Sequence, residues 1–237
     1  MNLSSSSLEP TRTVLITGFA NMESLEKYKD TVFNPETMIE NYTAPQSKIL
    51  FLMFYDLRDS VKFFNFFKKQ NQSSNLHISF TISKFELPKK NEECSEKNKQ
   101  STIIFEFVNM DVKIEDNFIV NFLKQYGEVK ELKGTSSFLK VIEFYSIKDA
   151  IKAFKALNGS PFATGEIQCK WDWDLTSSTR VSYIKLTDEF IKKSSQVEES
   201  VPEQIKKYKV SGSSKNMFLE LFDNFIGENI LEIEKLF

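Results

Sequence analysis

The sequence predicts an α+β protein made of two domains with the same βαββαβ order, followed by a helical C-terminal extension. The chain has 237 residues, which is enough for two small domains. Its apolar fraction of 41% and its 23 Phe residues are typical of chains that fold around apolar cores. The stretch FYDLRDSVKFF at 54–64 returns at 144–154 as FYSIKDAIKAF. The two stretches begin 90 residues apart, and a repeat of this length indicates that a whole small domain is repeated.

Patterns of apolar and β-branched residues in the first copy predict four strands and two helices. The run TVLITGF is typical of a buried strand, and LHISFTISK alternates apolar with polar residues, as a strand with one covered face does. The second predicted helix carries Leu57, Val61 and Phe64 on one face. The predicted strands are 13–19, 38–43, 48–55 and 76–84, and the predicted helices are 24–30 and 57–69.

Residues 101–173 repeat this order. Gly127 follows the first predicted helix as its C-terminal stop. Asp59 and Asp149 fall in the first turn of the second helix of each copy, where a carboxylate interacts favourably with the helix dipole. The predicted strands are TIIFEFV, EVKEL, FLKVIEFY and IQCKW, and the predicted helices are EDNFIVNFLKQY and KDAIKAFKAL. The repeating unit is therefore a βαββαβ domain, which is the ferredoxin-like order.

The segments around the two copies set the predicted domain limits. Residues 1–11 are rich in Ser and are expected to form a flexible tail before a first domain at 12–85. The polar stretch 86–100 is expected to be a flexible linker to a second domain at 101–173. In the extension, 174–237, the segment NMFLELFDNFIGENILEIEKLF carries an apolar stripe at helical spacing.

Composition argues against several classes of protein. One His and two Cys cannot assemble a His/Cys metal cluster, and two free thiols are expected. The sequence has no Gly-rich phosphate-binding motif and no Ser/His/Asp or Cys/His arrangement, so we expect neither an enzyme nor a bound cofactor. No signal-peptide pattern is present, and no run approaches the ~18 apolar residues of a membrane span. We expect an intracellular protein, in the nucleus, the cytoplasm or both.

The repeat resembles the RNA recognition motif (RRM). YGEVKEL, then a strand ending in EFY, then KDAIKAFKALNGSPF carry this likeness. More specifically, the chain resembles the tandem RRMs of the Mei-two-like family, which are meiosis-linked RNA-binding regulators. That resemblance covers about 12–173 and lies in FYDLRDS, HISFTISK, NMD, YGEVKEL and VIEFYSIKDAIKAFKALN. It implies binding of single-stranded RNA, such as mRNA, in post-transcriptional regulation, with meiotic transcripts as suggested targets.

An RRM stacks RNA bases on aromatic side chains of the open sheet face, on its first and third strands. In the first domain, strand alternation places Leu15, Ile49 and Phe51 at these exposed positions, so one of the three is aromatic. Two alternatives stay open: Phe51 is buried under a tail or the neighbouring domain, and His77 is an inert surface residue. The candidate RNA contacts of the first domain are Leu15, Tyr42, Lys48, Ile49, Phe51, Met53 and His77.

The second domain departs further from the RRM pattern. Glu106, Leu139 and Val141 take its stacking positions, none of them is aromatic, and Glu106 is expected to repel phosphate. Each lost stack removes about 1–3 kcal/mol of binding free energy, and both domains are nearly charge-balanced. Whether this domain binds RNA stays open, with Leu139, Val141 and Lys170 as its candidate contacts. Trp171 and Trp173 are expected on the helix side of the sheet, with base stacking as the alternative.

These departures favour a second hypothesis, a protein-interaction adaptor whose RRM folds have lost RNA. Phe63 and Phe66 stand where the repeat has Ala153 and Ala156, and exposed phenylalanines on a helix require a cover. That cover is either the C-terminal stripe docking on the protein itself or a protein partner, which could also bind the stripe. The candidate partner-binding residues are Phe63, Phe66, Phe218, Phe222 and Phe225.

Overall fold

A computed structural model describes residues 9–44, 48–88 and 92–199. The chain divides into two compact units. Among the described residues, unit 1 takes in those up to Phe54, Asp59–Ser83 and Ser177–Glu199, while unit 2 takes in Tyr55–Arg58 and Lys84–Thr176. Each unit contains one antiparallel sheet with helices. Unit 1 has the βαββαβ order followed by a further helix, and unit 2 has the same order with one additional strand before its last strand. The predicted α+β class with two ferredoxin-like domains is therefore confirmed.

Unit 1 has a four-stranded sheet in the order β2-β3-β1-β4. Its helix α1 begins at a capping box, in which the Ser24 N–H donates to Asn21 Oδ1 at 2.8 Å and the Asn21 N–H donates to Ser24 Oγ. One sheet face packs on α1 and α2, with Leu50 and Leu52 in that core. Its elements are β1 (Thr13–Thr17), α1 (Met22–Val32), β2 (Met38–Ala44), β3 (Ile49–Phe54), α2 (Leu57–Gln70), β4 (His77–Thr81) and α5 (Ser177–Glu199).

Unit 2 has a five-stranded sheet in the order β6-β7-β5-β9-β8. Its helix-side core includes Phe105, Ile142 and Phe144. The extra strand β8, which the sequence analysis missed, pairs with β9 at the edge of the sheet. Its elements are β5 (Thr102–Val108), α3 (Asp116–Leu123), β6 (Val129–Thr135), β7 (Leu139–Phe144), α4 (Ile147–Leu157), β8 (Ser160–Phe162) and β9 (Gly165–Asp172).

The short segment Tyr55–Arg58 belongs to unit 2 and is hydrogen-bonded to residues 145–147 of the same unit. The Leu57 N–H donates to Tyr145 O at 3.0 Å, and the Ile147 N–H donates to Tyr55 O at 2.9 Å.

Two segments that the sequence predicts to be flexible have residues held by hydrogen bonds in their described parts. Thr11, which was placed in the tail at 1–11, is buried, and its hydroxyl donates to Thr81 O at 2.5 Å. The predicted flexible linker at 86–100 contains a short 3-10 helix, Glu96–Asn98, in its described part. Gln100, near the end of that linker, is buried and donates from Nε2 to Asn98 O at 2.7 Å. In both segments a polar side chain donates a hydrogen bond to a main-chain carbonyl oxygen, and hydrogen bonds of this kind hold a segment in place.

Candidate nucleic-acid interface

The sheet face of unit 1 that points away from α1 and α2 carries the candidate stacking residues and is called the first face. Cross-strand pairing places Tyr42, Phe51, Leu15 and Ser79 in one row across its four strands. The rings of Tyr42 and Phe51 are stacked, with centroids 4.5 Å apart and planes 9° from parallel. The first face is defined by Thr13, Leu15, Tyr42, Ile49, Phe51, Met53, His77, Ser79 and Thr81.

The expectation that the stacking positions of the first face are exposed is wrong. Leu15, Ile49, Phe51 and Met53 are at most 1% exposed. None of the four belongs to the helix-side core of unit 1, so the alternation predicted from sequence is correct. These four side chains are therefore enclosed in the structure, Phe51 included.

The helix α5 lies on the first face and packs against β4. Thr187 Oγ1 is 2.7 Å from Thr81 Oγ1, and the ring of Phe190 meets the ring of His77 edge-on with centroids 6.4 Å apart. Tyr183 is fully buried, and its hydroxyl donates to Glu9 O. Sequence analysis missed this cover, although a helical spacing of three and four marks its inner side at Arg180, Tyr183, Ile184, Thr187, Phe190 and Ile191.

The remaining candidates of unit 1 lie around the rim of this region. Tyr42 is half-buried beside Phe51, and His77 is exposed on the edge strand β4. Lys48 precedes β3 with a left-handed backbone (φ 51°), and its Nζ donates to Ala20 O at 3.2 Å. The candidates of the first face thus share one surface, but their centre is covered.

The corresponding surface of unit 2 is called the second face, and it is more open. Pairing brings Glu106 opposite Leu139, and Ile104 opposite both Val141 and Lys170. Leu139 and Lys170 are exposed, and Val141 is half-buried. Glu106, which was expected to repel phosphate, instead pairs with Lys170, whose Nζ lies 3.3 Å from its Oε2. The second face is defined by Thr102, Ile104, Glu106, Leu139, Val141, Glu143, Gln168 and Lys170.

One carboxylate, that of Glu143, pairs with two lysines at the β6 side of the second face. Glu143 is buried, and its two carboxylate oxygens lie 3.1 Å from Lys130 Nζ and 2.9 Å from Lys133 Nζ. Lys133 also donates to Thr102 Oγ1 at 3.3 Å. A strong positive field along this part of the face is therefore not expected, and recognition there would depend on individual contacts.

Aromatic side chains of unit 2 lie on the helix side of its sheet. The ring of Trp171 is stacked on Phe154, with centroids 4.7 Å apart and planes 6° from parallel. The prediction that Trp171 packs on the helix side is confirmed, because strand alternation sends it opposite to Lys170.

The candidate partner-binding residues are only partly described. Phe66 is 61% exposed on α2, whereas Phe63 is half-buried, with its ring centroid 5.5 Å from that of Phe54. Phe218, Phe222 and Phe225 lie outside the described residues. Within the described parts of the chain, no group of three or more His, Cys, Asp or Glu side chains could hold a metal ion. In the same parts, no helix is both long and apolar enough to cross a membrane.

Comparison with known proteins finds sequence relatives but no matching family model. The chain is 26% identical to Protein MEI2-like 4 of Oryza sativa subsp. japonica over 130 aligned residues. These residues make up 54% of this chain and 12% of that protein. It is 33% identical to Protein MEI2-like 2 of the same organism over 86 aligned residues. These residues make up 35% of this chain and 10% of that protein. The chain thus spans about a tenth of the length of these curated relatives.

A solved structure, that of the RNA15 RRM, is 20% identical and superposes with a TM-score of 0.28, covering 32% of this chain and 92% of that one. The fold assignment rests on the strand order of the two units. The predicted resemblance to the Mei-two-like family is confirmed, because the chain is similar in sequence to two MEI2-like proteins.

Proposed function

We propose that the chain binds single-stranded RNA through its two RRM-type sheets and acts in post-transcriptional regulation of mRNA, inside the cell. The observation that carries this proposal is the stacked pair of Tyr42 and Phe51 in the central row of the first face. An RRM places bases against aromatic rings at this part of its sheet. The similarity to MEI2-like proteins supports the same function and suggests transcripts of meiosis as targets.

The second face offers a different kind of contact. Lys170 is 67% exposed and can reach an RNA phosphate once its ammonium turns from Glu106, while Leu139 and Val141 provide apolar surface for a base. Without aromatic rings this face lacks stacking terms of about 1–3 kcal/mol per base. We therefore expect the second face to add to affinity and to orient the strand rather than to bind tightly by itself.

The test is fluorescence anisotropy of the full chain with a pool of short random single-stranded RNAs at near-physiological salt. Lys170→Ala is compared with Lys155→Ala, which makes a matched control. Lys155 is 64% exposed on α4 and pairs with Glu96 at 3.4 Å, as Lys170 pairs with Glu106 at 3.3 Å. Both substitutions remove one exposed, ion-paired lysine, but only Lys170 lies on the second face.

We expect Lys170→Ala to weaken binding about threefold and to reduce the slope of log K against log salt by about 0.7, the value for one phosphate contact on a single strand. Lys155→Ala should leave both unchanged. The proposal fails if no form of the chain, including one in which a substitution releases α5 from β4, binds RNA at tens of micromolar protein. Equal losses in the two variants would show that the second face is not the contact surface.

A protein-interaction adaptor is the second candidate function, and the exposure of Phe66 favours it. An isolated exposed Phe is ordinary, but Phe63 three positions earlier on α2 extends its apolar surface. Affinity capture by the Phe66→Asp variant is compared with capture by the Asn65→Asp variant. The second substitution adds the same charge at the preceding position, which is also exposed. An adaptor should lose one defined protein with the first substitution and keep it with the second, and the intact chain should bind no RNA.

A further inference from the structure

We infer that α5 and single-stranded RNA compete for the first face, so that α5 is a displaceable cover over an RNA-binding surface. This inference rests on the proposed function and adds its regulation: RNA bound on the first face and α5 docked on β4 are mutually exclusive states of unit 1.

The geometry makes the two occupants exclusive. Thr187 of α5 bonds to Thr81, and Thr81 shares the first face with Leu15 and Phe51 because β1 pairs with both β3 and β4. Phe51 has no exposed surface in this arrangement, and its ring contacts Tyr42 on one side. A base needs a free ring face at a separation of about 3.5–4 Å to stack. No base can therefore stack on Phe51 in this arrangement, in which α5 is docked on β4 of the same face.

The cover is polar in places where a permanent core would be apolar. The sheet and the helix meet through two threonine hydroxyls, and α5 also turns Tyr183 and Arg180 inward. Among the described residues, Thr13 Oγ1 is buried on this face without a hydrogen-bond partner. Leaving a buried hydroxyl unpaired opposes docking of the cover. Phosphate and ribose oxygens of RNA would be acceptors for that hydroxyl.

Competition makes the apparent affinity depend on how often α5 is undocked. If the face is free in a fraction f of the molecules, the apparent Kd equals the intrinsic Kd divided by f. A substitution that undocks α5 must therefore tighten RNA binding, and RNA must in turn undock α5, since linkage is reciprocal.

Substitutions on the two sides of α5 test the first consequence in the full chain. Thr187→Glu places a carboxylate against Thr81 at a position that is 2% exposed. Leu186→Glu places the same carboxylate on the same helix at a position that is 38% exposed. We expect Thr187→Glu to tighten RNA binding at least tenfold, which is about 1.4 kcal/mol, and Leu186→Glu to leave it the same or weaker. The added negative charge opposes RNA in both variants, so a gain cannot come from electrostatic attraction.

A double variant that combines Phe51→Leu with Thr187→Glu identifies the surface that is responsible for the increase in RNA affinity. Leucine fills most of the buried volume of Phe51 but cannot stack on a base, so the gain should disappear. Cooperative thermal unfolding of every variant shows that unit 1 remains folded. An affinity gain that survives Phe51→Leu overturns the inference, because another surface then binds the RNA.

Hydrogen exchange of the unmodified chain tests the second consequence without any substitution. Saturating RNA should speed exchange of the amides of residues 181–192 in α5. RNA that binds while these amides keep their protection overturns the inference and leaves the proposed function intact, with the second face as its site. If no variant binds RNA, the inference and the proposed function fail together.

Discussion

Lys140 Nζ lies 2.5 Å from Asp116 Oδ1 in unit 2, although the lysine side chain is only 2% exposed. Lys140 follows the alternation of β7 onto the helix side of the sheet, and Asp116 opens the first turn of α3. We expect Asp116→Asn to lower the free energy of unfolding by about 1–3 kcal/mol, because the buried ammonium loses its charged partner. Lys140→Met should cost less, since it removes the buried charge together with its need for a partner. Urea unfolding of both variants measures this order, and the reverse order would contradict it.

Asp174 closes the end of the sheet of unit 2 through several hydrogen bonds at once. Its buried carboxylate accepts from the Ser101 N–H at 3.0 Å, from Ser101 Oγ at 3.2 Å and from Thr102 Oγ1 at 2.7 Å. Asp174→Ala should destabilise the protein by about 2–3 kcal/mol, because buried donors then lack an acceptor. Asp174→Asn keeps one acceptor oxygen and should cost clearly less. Equal thermal unfolding of the alanine variant and the unmodified chain would show that these bonds add nothing to stability.

Tyr28 makes unit 1 sensitive to alkaline pH. Burial raises the pKa of Tyr28 to about 12, whereas an unfolded tyrosine ionises near 10. The folded state therefore holds the phenolic proton more tightly, so its stability is complete below pH 10 and falls as the pH rises from 10 toward 12. Tyr28→Phe should flatten this fall, as measured by urea unfolding between pH 8 and pH 11. Parallel curves for the two proteins would contradict the assignment.

Cys169 should be chemically silent in the folded protein. Burial raises the pKa of its thiol to about 12, and the side chain is enclosed in the core of unit 2. In a Cys94→Ser variant, iodoacetamide at pH 8 should therefore label nothing until urea unfolds the chain. A Cys169→Ser variant, which keeps the half-buried Cys94, should react without denaturant. Rapid labelling of Cys169 in the native state, followed by mass spectrometry, would show that this core opens.

The sequence predicts which face of the sheet each strand residue points to, but it does not predict that α5 packs on one of these faces. The opposite orientations of Phe51 and Leu52, or of Lys170 and Trp171, follow from the period of two in any strand. Whether an outward position meets solvent depends on a contact such as that of Thr81 with Thr187, which are 106 positions apart. No local pattern encodes such a pairing.

The missed strand β8 has a similar explanation. Ser160–Phe162 is only three residues long and contains Pro161, so neither alternation nor propensity distinguishes it from a loop. It becomes a strand because it pairs with Gly165–Ile167 of β9 across a short turn. The inner stripe of α5 is different, because its helical spacing is visible in the sequence, whereas the strand on which it packs is not.

The position of α5 in the chain has a consequence for synthesis on the ribosome. Thr187 is made 106 positions after Thr81, and at 5–20 residues per second this separates them by roughly 5–20 s. For those seconds every newly made molecule has its first sheet complete but lacks the helix that later lies on it. The nascent protein therefore passes once through an open form, in the presence of its own message, before it can close.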